Sequence, residues 1–133
     1  MLASILIALM SSEIFADKTN PADNLSNFYT EAKPNISVDA SHPQFTIQLK
    51  SNPTTGYSWF LREYNSRLIT PLKHKFIAPT QKLIGAGGFE QWTFRVNAAG
   101  FTVPQQMTIR FVYARPWQGA DNSTQVVFRV STR

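Results

Sequence analysis

The sequence predicts an all-β domain, an immunoglobulin-like antiparallel β-sandwich of about seven or eight strands. Three observations lead to this fold class. Apolar and polar residues alternate with a period of two over several runs, helical periodicity is weak throughout, and Pro, Gly and Asn separate the runs. Because no helical crossover segments lie between the runs, two packed antiparallel sheets are favoured over a parallel sheet.

A chain of 133 residues suits a single domain that can bury a core of its own. Its hydrophobic fraction of 43% and its charged fraction of 16% are typical of a globular protein and argue against disorder. Cysteine is absent, which excludes disulfides, thiolate metal sites and a cysteine nucleophile. Packing alone must therefore hold the domain together.

The N-terminal region resembles a secretion signal. Its first ten residues are almost wholly apolar, and small or polar residues follow up to Ala16. This order predicts a signal peptide over residues 1–16 and a secreted or periplasmic protein, because the apolar run is too short to span a bilayer. No Lys or Arg precedes the run and Glu13 lies near the predicted cut, so a buried N-terminal strand or a different start is the alternative.

A change of pattern separates two further regions. Residues 17–34 are polar and rich in turn-forming Asn and Pro, which predicts a flexible lead-in. From Ile36 onward the sequence alternates, and residues 35–133 are predicted to form the immunoglobulin-like domain.

The strands follow from alternation along the chain. Phe45, Ile47 and Leu49 point to one face while the polar residues between them point to the other, as in a half-buried strand. Trp59 and Trp92 fall on such faces and are predicted to be core residues. Further strands are predicted around residues 57–61, 72–78, 92–96, 107–113 and 126–130, with Pro79 ending the second of these.

Three clusters lie between these strands and combine backbone-directing Pro or Gly with side chains that suit a binding surface. We call them the first loop, Asn52-Pro53-Thr54-Thr55-Gly56-Tyr57, the second loop, Gly85-Ala86-Gly87-Gly88, and the third loop, Arg115-Pro116-Trp117. They follow every second strand of the predicted sandwich. Because connections alternate between its two ends, all three loops are expected to emerge at the same end.

The first loop is expected to be a blunt, preorganised projection. Pro53 fixes its own φ, the two threonines are stiff at χ1, and Gly56 permits a positive φ. Such a turn enters a narrow cleft without desolvating a charge and with little ordering cost. A tight inter-sheet turn without a partner is the alternative, since turn chemistry explains most of the segment.

The other two loops carry weaker individual signals. Gly87 and Gly88 remove side chains where a neighbouring backbone approaches, although a plain flexible loop has the same composition. Trp117 follows the rigid Pro116 and is typical of an interface anchor, because a Trp buries on the order of 150 to 250 Å². A Trp folded back onto its own sandwich is the alternative there.

Charge and motif content exclude several function classes. The formal net charge of +5 becomes 13 − 7 = +6 without residues 1–16, which contain one acid and no base. The bases are scattered apart from Lys73-His74-Lys75, which is predicted to be a solvated strand edge, so no nucleic-acid surface is expected. His42 and His74 lack metal-ligand spacing, and phosphate loops and nucleotide fingerprints are absent, so neither metal nor cofactor is expected.

In combination, the three loops resemble those of the chagasin-like inhibitors of papain-family cysteine peptidases. That family carries an Asn-Pro-Thr-Thr-Gly-aromatic loop, a Gly-x-Gly-Gly loop and an Arg-Pro-Trp loop in this order on an immunoglobulin-like sandwich, and residues 52–57, 85–88 and 115–117 reproduce each. The resemblance extends over about residues 45–130. It implies a monomeric, non-enzymatic protein that inhibits papain-like cysteine peptidases, of its own cell or of a host, reversibly and tightly.

The resemblance also implies a role for each loop. Thr54 and Thr55 enter the catalytic cleft nearest the cysteine, and the other residues of the first loop hold their shape. The second loop makes main-chain contacts along the non-primed side. On the primed side, Trp117 packs against an aromatic residue and Arg115 adds polar contacts.

Two other functions are compatible with the sequence. A non-inhibitory immunoglobulin-like surface or carbohydrate-binding module would use Trp117 and Tyr57 as a stacking platform. A small hydrolase is disfavoured, because the only two histidines that could act as bases lie outside the three loops.

Overall fold

The computed structural model describes residues 28–79, 87–118 and 123–133. In these ranges the chain is all-β, as predicted, with two short 3-10 helices, Pro53–Thr55 and Ala98–Phe101, between strands. The strands are β1 (Phe28–Tyr29), β2 (Asn35–Val38), β3 (Gln44–Ser51), β4 (Ser58–Glu63), β5 (Ile69–Ile77), β6 (Gly88–Val96), β7 (Gln106–Ala114) and β8 (Thr124–Thr132). None of the helices within these ranges is long and apolar enough to cross a membrane.

The strands form two sheets that pack as a sandwich. The first sheet has the order β1-β3-β6-β5 and the second the order β2-β8-β7-β4. The long neighbouring strands are antiparallel, whereas β1 and β2 pair in parallel with β3 and β8. The sequence does not predict these two parallel edges, because alternation indicates which face a residue occupies and not the direction of its partner strand.

The core lies between the sheets and takes one face from each. Phe94, Phe111 and Phe128 are fully buried, and their rings meet edge to face with centroids 6.2 and 6.0 Å apart. Trp59 is buried in the same cluster, and Trp92 packs partly buried against it. The prediction that both tryptophans belong to the core is confirmed.

Strand β1 lies within the segment predicted as a lead-in. Phe28 and Tyr29 pair with Thr46 and Ile47 of β3, and the partly buried Tyr29 packs against the core. This strand is not predicted from the sequence, because two residues are too few to show alternation. The predicted signal peptide and the part of the lead-in up to residue 27 lie outside the described residues.

Strand β5 is an edge of the first sheet. It begins at Ile69, earlier than predicted, and includes Pro71, after which its register to β6 shifts. An edge strand tolerates proline because one row of its N–H groups faces outward. Lys73, His74 and Lys75 are all exposed, in agreement with the predicted solvated edge. His74 also makes contacts that are described below.

Asp39 holds the turn between β2 and β3. Its carboxylate accepts hydrogen bonds from the Ser41 hydroxyl and from the backbone N–H groups of Ser41 and His42. These bonds stabilise the charged form and lower the pKa of Asp39 below its ordinary value. The hydrogen bonds to the Asp39 carboxylate therefore stabilise the turn at neutral pH, and this stabilisation is lost as acid protonates the carboxyl group.

Candidate functional site

The chain topology gathers three connections at one end of the sandwich. Strands β3, β5 and β7 end there, and β4, β6 and β8 begin there, as the pairs Ser51↔Gly88 and Ser58↔Ala114 require. We call this end the rim. The first and third loops and the described part of the second lie on it, so the expectation that they share one end is confirmed for these residues.

The first loop is a single turn of 3-10 helix closed by a glycine. Asn52 lies outside the helical region with φ −124° and ψ 88°, and Pro53–Thr55 form the helix. Gly56 has φ 81°, and its N–H donates to the Pro53 carbonyl at 3.0 Å. The positive φ at Gly56 is as predicted, because glycine alone adopts it without steric cost. The helical turn before it is not predicted by the sequence analysis.

Both threonine hydroxyls of the first loop are engaged within it. Thr54 Oγ1 donates to Asn52 Oδ1 at 2.6 Å, and Thr55 Oγ1 donates to the Asn52 carbonyl at 2.7 Å. Pro53, Thr54 and Thr55 are all exposed. A preformed, uncharged turn therefore projects from the rim.

Strands β4 and β7 hold the base of the first loop. The Asn52 N–H donates to the Tyr113 hydroxyl at 3.0 Å, which fixes the start of the loop. Tyr113 also stacks on Trp59, with ring centroids 4.8 Å apart, and Trp59 Nε1 donates to the Lys50 carbonyl at 2.8 Å. The strands on both sides of the loop are thus tied together.

A buried carboxylate joins the two sheets beneath the rim. The side chain of Glu90 on β6 is 4% exposed, and its Oε2 accepts the backbone N–H of Trp59 on β4 at 3.1 Å. Its Oε1 lies 2.9 Å from His74 Nε2, and the His74 ring stacks on Trp92. A buried carboxylate requires such partners. Glu90 therefore anchors the strand that leaves the first loop.

The third loop contacts the first. Arg115 Nε donates to the Thr55 carbonyl at 2.9 Å, and its guanidinium carbon lies 4.5 Å from the centroid of the Tyr57 ring. Trp117 is 70% exposed, yet one edge of its ring covers Gly56, where an added Cβ would be 2.6 Å from Trp117 Cη2. Two loops about 60 residues apart in sequence thus touch each other.

Only half of the second loop is described, since Gly85 and Ala86 lie outside the described residues. Gly87 is exposed, and a Cβ on it would lie 3.4 Å from the Ser51 carbonyl oxygen, an ordinary contact. Gly88 is buried, and a Cβ there would collide with the Ile77 carbonyl of the neighbouring strand. The sequence predicts a neighbouring backbone at these glycines, and at Gly88 that backbone belongs to the protein's own β5.

Most of the chain matches one known family. The model of the chagasin family peptidase inhibitor I42 matches residues 40–131, about two thirds of the chain. The chain belongs to the chagasin family. It is therefore a peptidase inhibitor and not an enzyme. Chagasin of Trypanosoma cruzi is 35% identical to this chagasin-family chain over an alignment of 83 residues, with coverage of 59% of this chain and 71% of the relative.

Solved structures share the fold of this chagasin-family chain. The cysteine protease inhibitor EhICP2 from Entamoeba histolytica superimposes with a TM-score of 0.64 at 20% identity, covering 80% of this chain and 95% of its own. Amebosin has a TM-score of 0.59 at 24% identity, covering 80% and 96%. PbICP-C, solved in complex with falcipain-2, has a TM-score of 0.52 at 18% identity, covering 80% and 90%.

The projecting residues of this chagasin-family rim are predicted from the sequence, whereas the residues that support them are not. Tyr113 is the last residue of the strand predicted around residues 107–113, and nothing local marks its hydroxyl as the acceptor for the Asn52 N–H. Glu90 stands two residues before Trp92, at an inward position of β6, and a charged residue at an inward position is the signal that could have found it.

Proposed function

We propose that this protein is a reversible, tight-binding inhibitor of papain-like cysteine peptidases that occludes the catalytic cleft with the three loops of the rim. The observation that carries the proposal is the exposed, uncharged turn at Pro53–Thr55, which is preformed and flanked on the same rim by Trp117. Family membership supports it, as do two neighbours of similar fold, one described as a cysteine protease inhibitor and one bound to falcipain-2.

The shape of the first loop suits occlusion without cleavage. A papain-like thiolate attacks the carbonyl of an extended peptide held in register. In the first loop the chain is coiled into a 3-10 turn and reverses at Gly56, with the N–H groups of Thr55 and Gly56 bonded inside the turn. The loop therefore blocks the thiolate without offering it an extended bond, and Thr54 and Thr55 are the residues we assign to the cleft.

The other two loops extend the contact along the cleft. We assign main-chain contacts to the second loop, where Gly87 is exposed and carries no side chain. We assign the anchor to Trp117, whose 70% exposure leaves most of a large aromatic surface for a partner. Contacts from three loops are expected to bury about 1,600 Å² in total, the standard size of such an interface.

The geometry argues against the carbohydrate-binding alternative. A stacking platform needs both Trp117 and Tyr57 to present a free ring face. Tyr57 stacks on Tyr113 with centroids 5.3 Å apart and lies under the Arg115 guanidinium, so its ring is engaged within the protein.

Secretion is part of the proposal and depends on the N-terminal sequence alone. The apolar first ten residues and the small residues up to Ala16 support export to a secreted or periplasmic location. Mass spectrometry of the exported protein tests this. A mature N-terminus at Asp17 is expected, and recovery of intact Met1 from the exported fraction would contradict the predicted cut.

The function is tested by titrating active papain and, as a class control, trypsin with the purified protein. We expect stoichiometric inhibition of papain and none of trypsin. The Trp117→Ala variant is expected to weaken inhibition of papain by about 2 kcal/mol or more, roughly 30-fold, if Trp117 is the anchor. Tyr64→Ala, which removes another exposed aromatic from a residue after β4, outside the three loops, serves as the matched control and should inhibit as the wild type does.

Two results would overturn the proposal. If papain and related peptidases remain fully active in the presence of excess protein, the proposed inhibition of papain-like peptidases is wrong. If Trp117→Ala and Tyr64→Ala inhibit papain equally well, Trp117 is not the anchor.

A further inference from the structure

The Arg115 side chain contacts other residues of its own protein. Its Nε donates to the Thr55 carbonyl at 2.9 Å, and its guanidinium lies over the Tyr57 ring at 4.5 Å. Tyr57 in turn stacks on Tyr113, whose hydroxyl accepts the Asn52 N–H at 3.0 Å. These contacts form one network that links Tyr113 of β7, the first loop and Arg115, which follows β7.

This contact network fixes the turn of the first loop at both ends. Tyr113 holds Asn52 at the start, and Arg115 holds the carbonyl of Thr55, the last residue of the 3-10 helix. Carbonyl groups at the end of a helix lack intrahelical partners, and a cationic donor is the favourable one for them. A charge-assisted bond of this kind is roughly twice as strong as a neutral one.

The same contact network also positions Trp117. Its ring edge rests on Gly56, one residue beyond the carbonyl that Arg115 binds. Pro116 lies between Arg115 and Trp117 and restricts the backbone that joins them. The turn and the aromatic anchor are thus held at a fixed spacing before any partner arrives.

We propose that Arg115 is a positioning residue, which locks the first and third loops into one rigid body so that the Thr54-Thr55 turn and Trp117 dock together. This inference rests on the proposed inhibitor function and changes the role that the family resemblance implies for Arg115, from a polar contact with the peptidase to an internal lock. Preorganisation of this kind raises affinity by lowering the ordering cost of binding.

The proposal requires arginine and not only a positive charge. The guanidinium is planar, so it donates through Nε in its plane while its face lies on Tyr57. A lysine ammonium is a point charge on a flexible stem and does not combine these two contacts in one geometry. Arg115→Lys therefore keeps the charge and removes the lock.

The first experiment measures hydrogen exchange of the Gly56 and Tyr57 amides by NMR in the free protein. In Arg115→Lys we expect these amides to exchange about ten-fold faster than in the wild type, because the turn opens more often. Tyr57→Leu removes the surface under the guanidinium and should act in the same direction. Arg95→Lys, an exposed arginine on β6, is the matched control and should leave exchange unchanged.

The second experiment follows the association and dissociation kinetics of the same variants with papain. If only a fraction of the variant molecules holds the competent arrangement, the apparent association rate falls by about that fraction while dissociation changes little. We expect about a ten-fold slower association for Arg115→Lys and wild-type kinetics for Arg95→Lys, with thermal unfolding confirming that each variant is folded.

Unchanged amide exchange in Arg115→Lys together with faster dissociation would overturn the proposal, since it would show a direct contact of Arg115 with the peptidase. Failure of the proposed function is separate, because the wild type would then leave papain active. In that case the exchange rates of the free protein still decide whether Arg115 locks the two loops.

Discussion

Gly87 and Gly88 are adjacent, but the structure gives them different reasons to be glycine. A Cβ on Gly88 would meet the Ile77 carbonyl at a distance that real Cβ atoms do not show, and it would lie 2.7 Å from Phe76 Cζ. A Cβ on Gly87 would meet nothing closer than 3.4 Å. Since φ is positive at neither residue, the difference is one of space and not of backbone conformation.

This difference predicts opposite phenotypes for two alanine variants. Gly88→Ala should lower the free energy of unfolding by about 2 kcal/mol or more, because β5 and β6 must separate to admit the methyl group. Gly87→Ala should change it by no more than about 0.5 kcal/mol and should instead weaken inhibition, because its methyl group is added to the exposed second loop. Urea unfolding and papain titration of both variants measure the two effects. Equal stability of the two variants would contradict this account.

At the residue scale, the sequence predicts conformations that depend on near neighbours. The positive φ of Gly56 follows from a glycine at the end of a Pro-Thr-Thr turn, and the exposure of Trp117 follows from its place after Pro116. The bond from Arg115 to the Thr55 carbonyl joins residues about 60 positions apart and depends on how two sheets stack. No local pattern encodes that distance, and the family resemblance instead implies polar contacts of Arg115 with a peptidase.

At the scale of the strand, β6 combines a core face with a functional support. Its inward positions include Trp92, Phe94 and Val96, and the alternation of these three predicts the second half of the strand, which begins earlier, at Gly88. Glu90 occupies the next inward position toward the rim and accepts the backbone N–H of Trp59 across the sandwich. The strand prediction depends on alternating apolar residues. It therefore misses a carboxylate at an inward position that accepts a hydrogen bond from the other sheet.

The cross-sheet bond predicts a large effect of Glu90→Ala on stability. The variant leaves a buried Trp59 N–H without an acceptor, which costs about 1 to 3 kcal/mol, and it adds a cavity. Glu63→Ala removes a carboxylate that is 65% exposed and pairs with Arg110, and it should cost less than about 1 kcal/mol. Urea unfolding compares the two, and similar losses would show that Glu90 does not brace the sheets.

At the scale of the whole molecule, strand alternation predicts where the three loops lie. Successive long strands run in opposite directions, so the connections after β3, β5 and β7 must reach the same end. The order of strands and loops, which can be read from the sequence, is enough to predict that the three loops share one end. The contribution of Gly85 and Ala86 to the rim stays a prediction, since they lie outside the described residues.

The predicted domain boundary at residue 35 excludes β1, and this exclusion has a measurable cost. Phe28 and Tyr29 pair with the outer side of β3, and Tyr29 packs against the core with the Lys33 ammonium 5.2 Å from its ring centroid. A chain that begins at residue 35 loses these contacts and exposes the edge of β3, whereas a chain that begins at residue 28 keeps them. We expect the shorter fragment to be less stable by about 1 to 2 kcal/mol, from the lost burial of one aromatic side chain.

Differential scanning calorimetry of fragments 28–133 and 35–133 measures this cost, and Tyr29→Ala in the longer fragment serves as the matched variant. The substitution should reproduce most of this loss of stability, because the side chain of Tyr29 packs against the core. Since β3 leads directly into the first loop, the shorter fragment should also inhibit papain less well near its unfolding temperature while matching the longer one well below it. Identical unfolding temperatures for the two fragments would place the start of the folded domain at residue 35, with β1 contributing nothing to its stability.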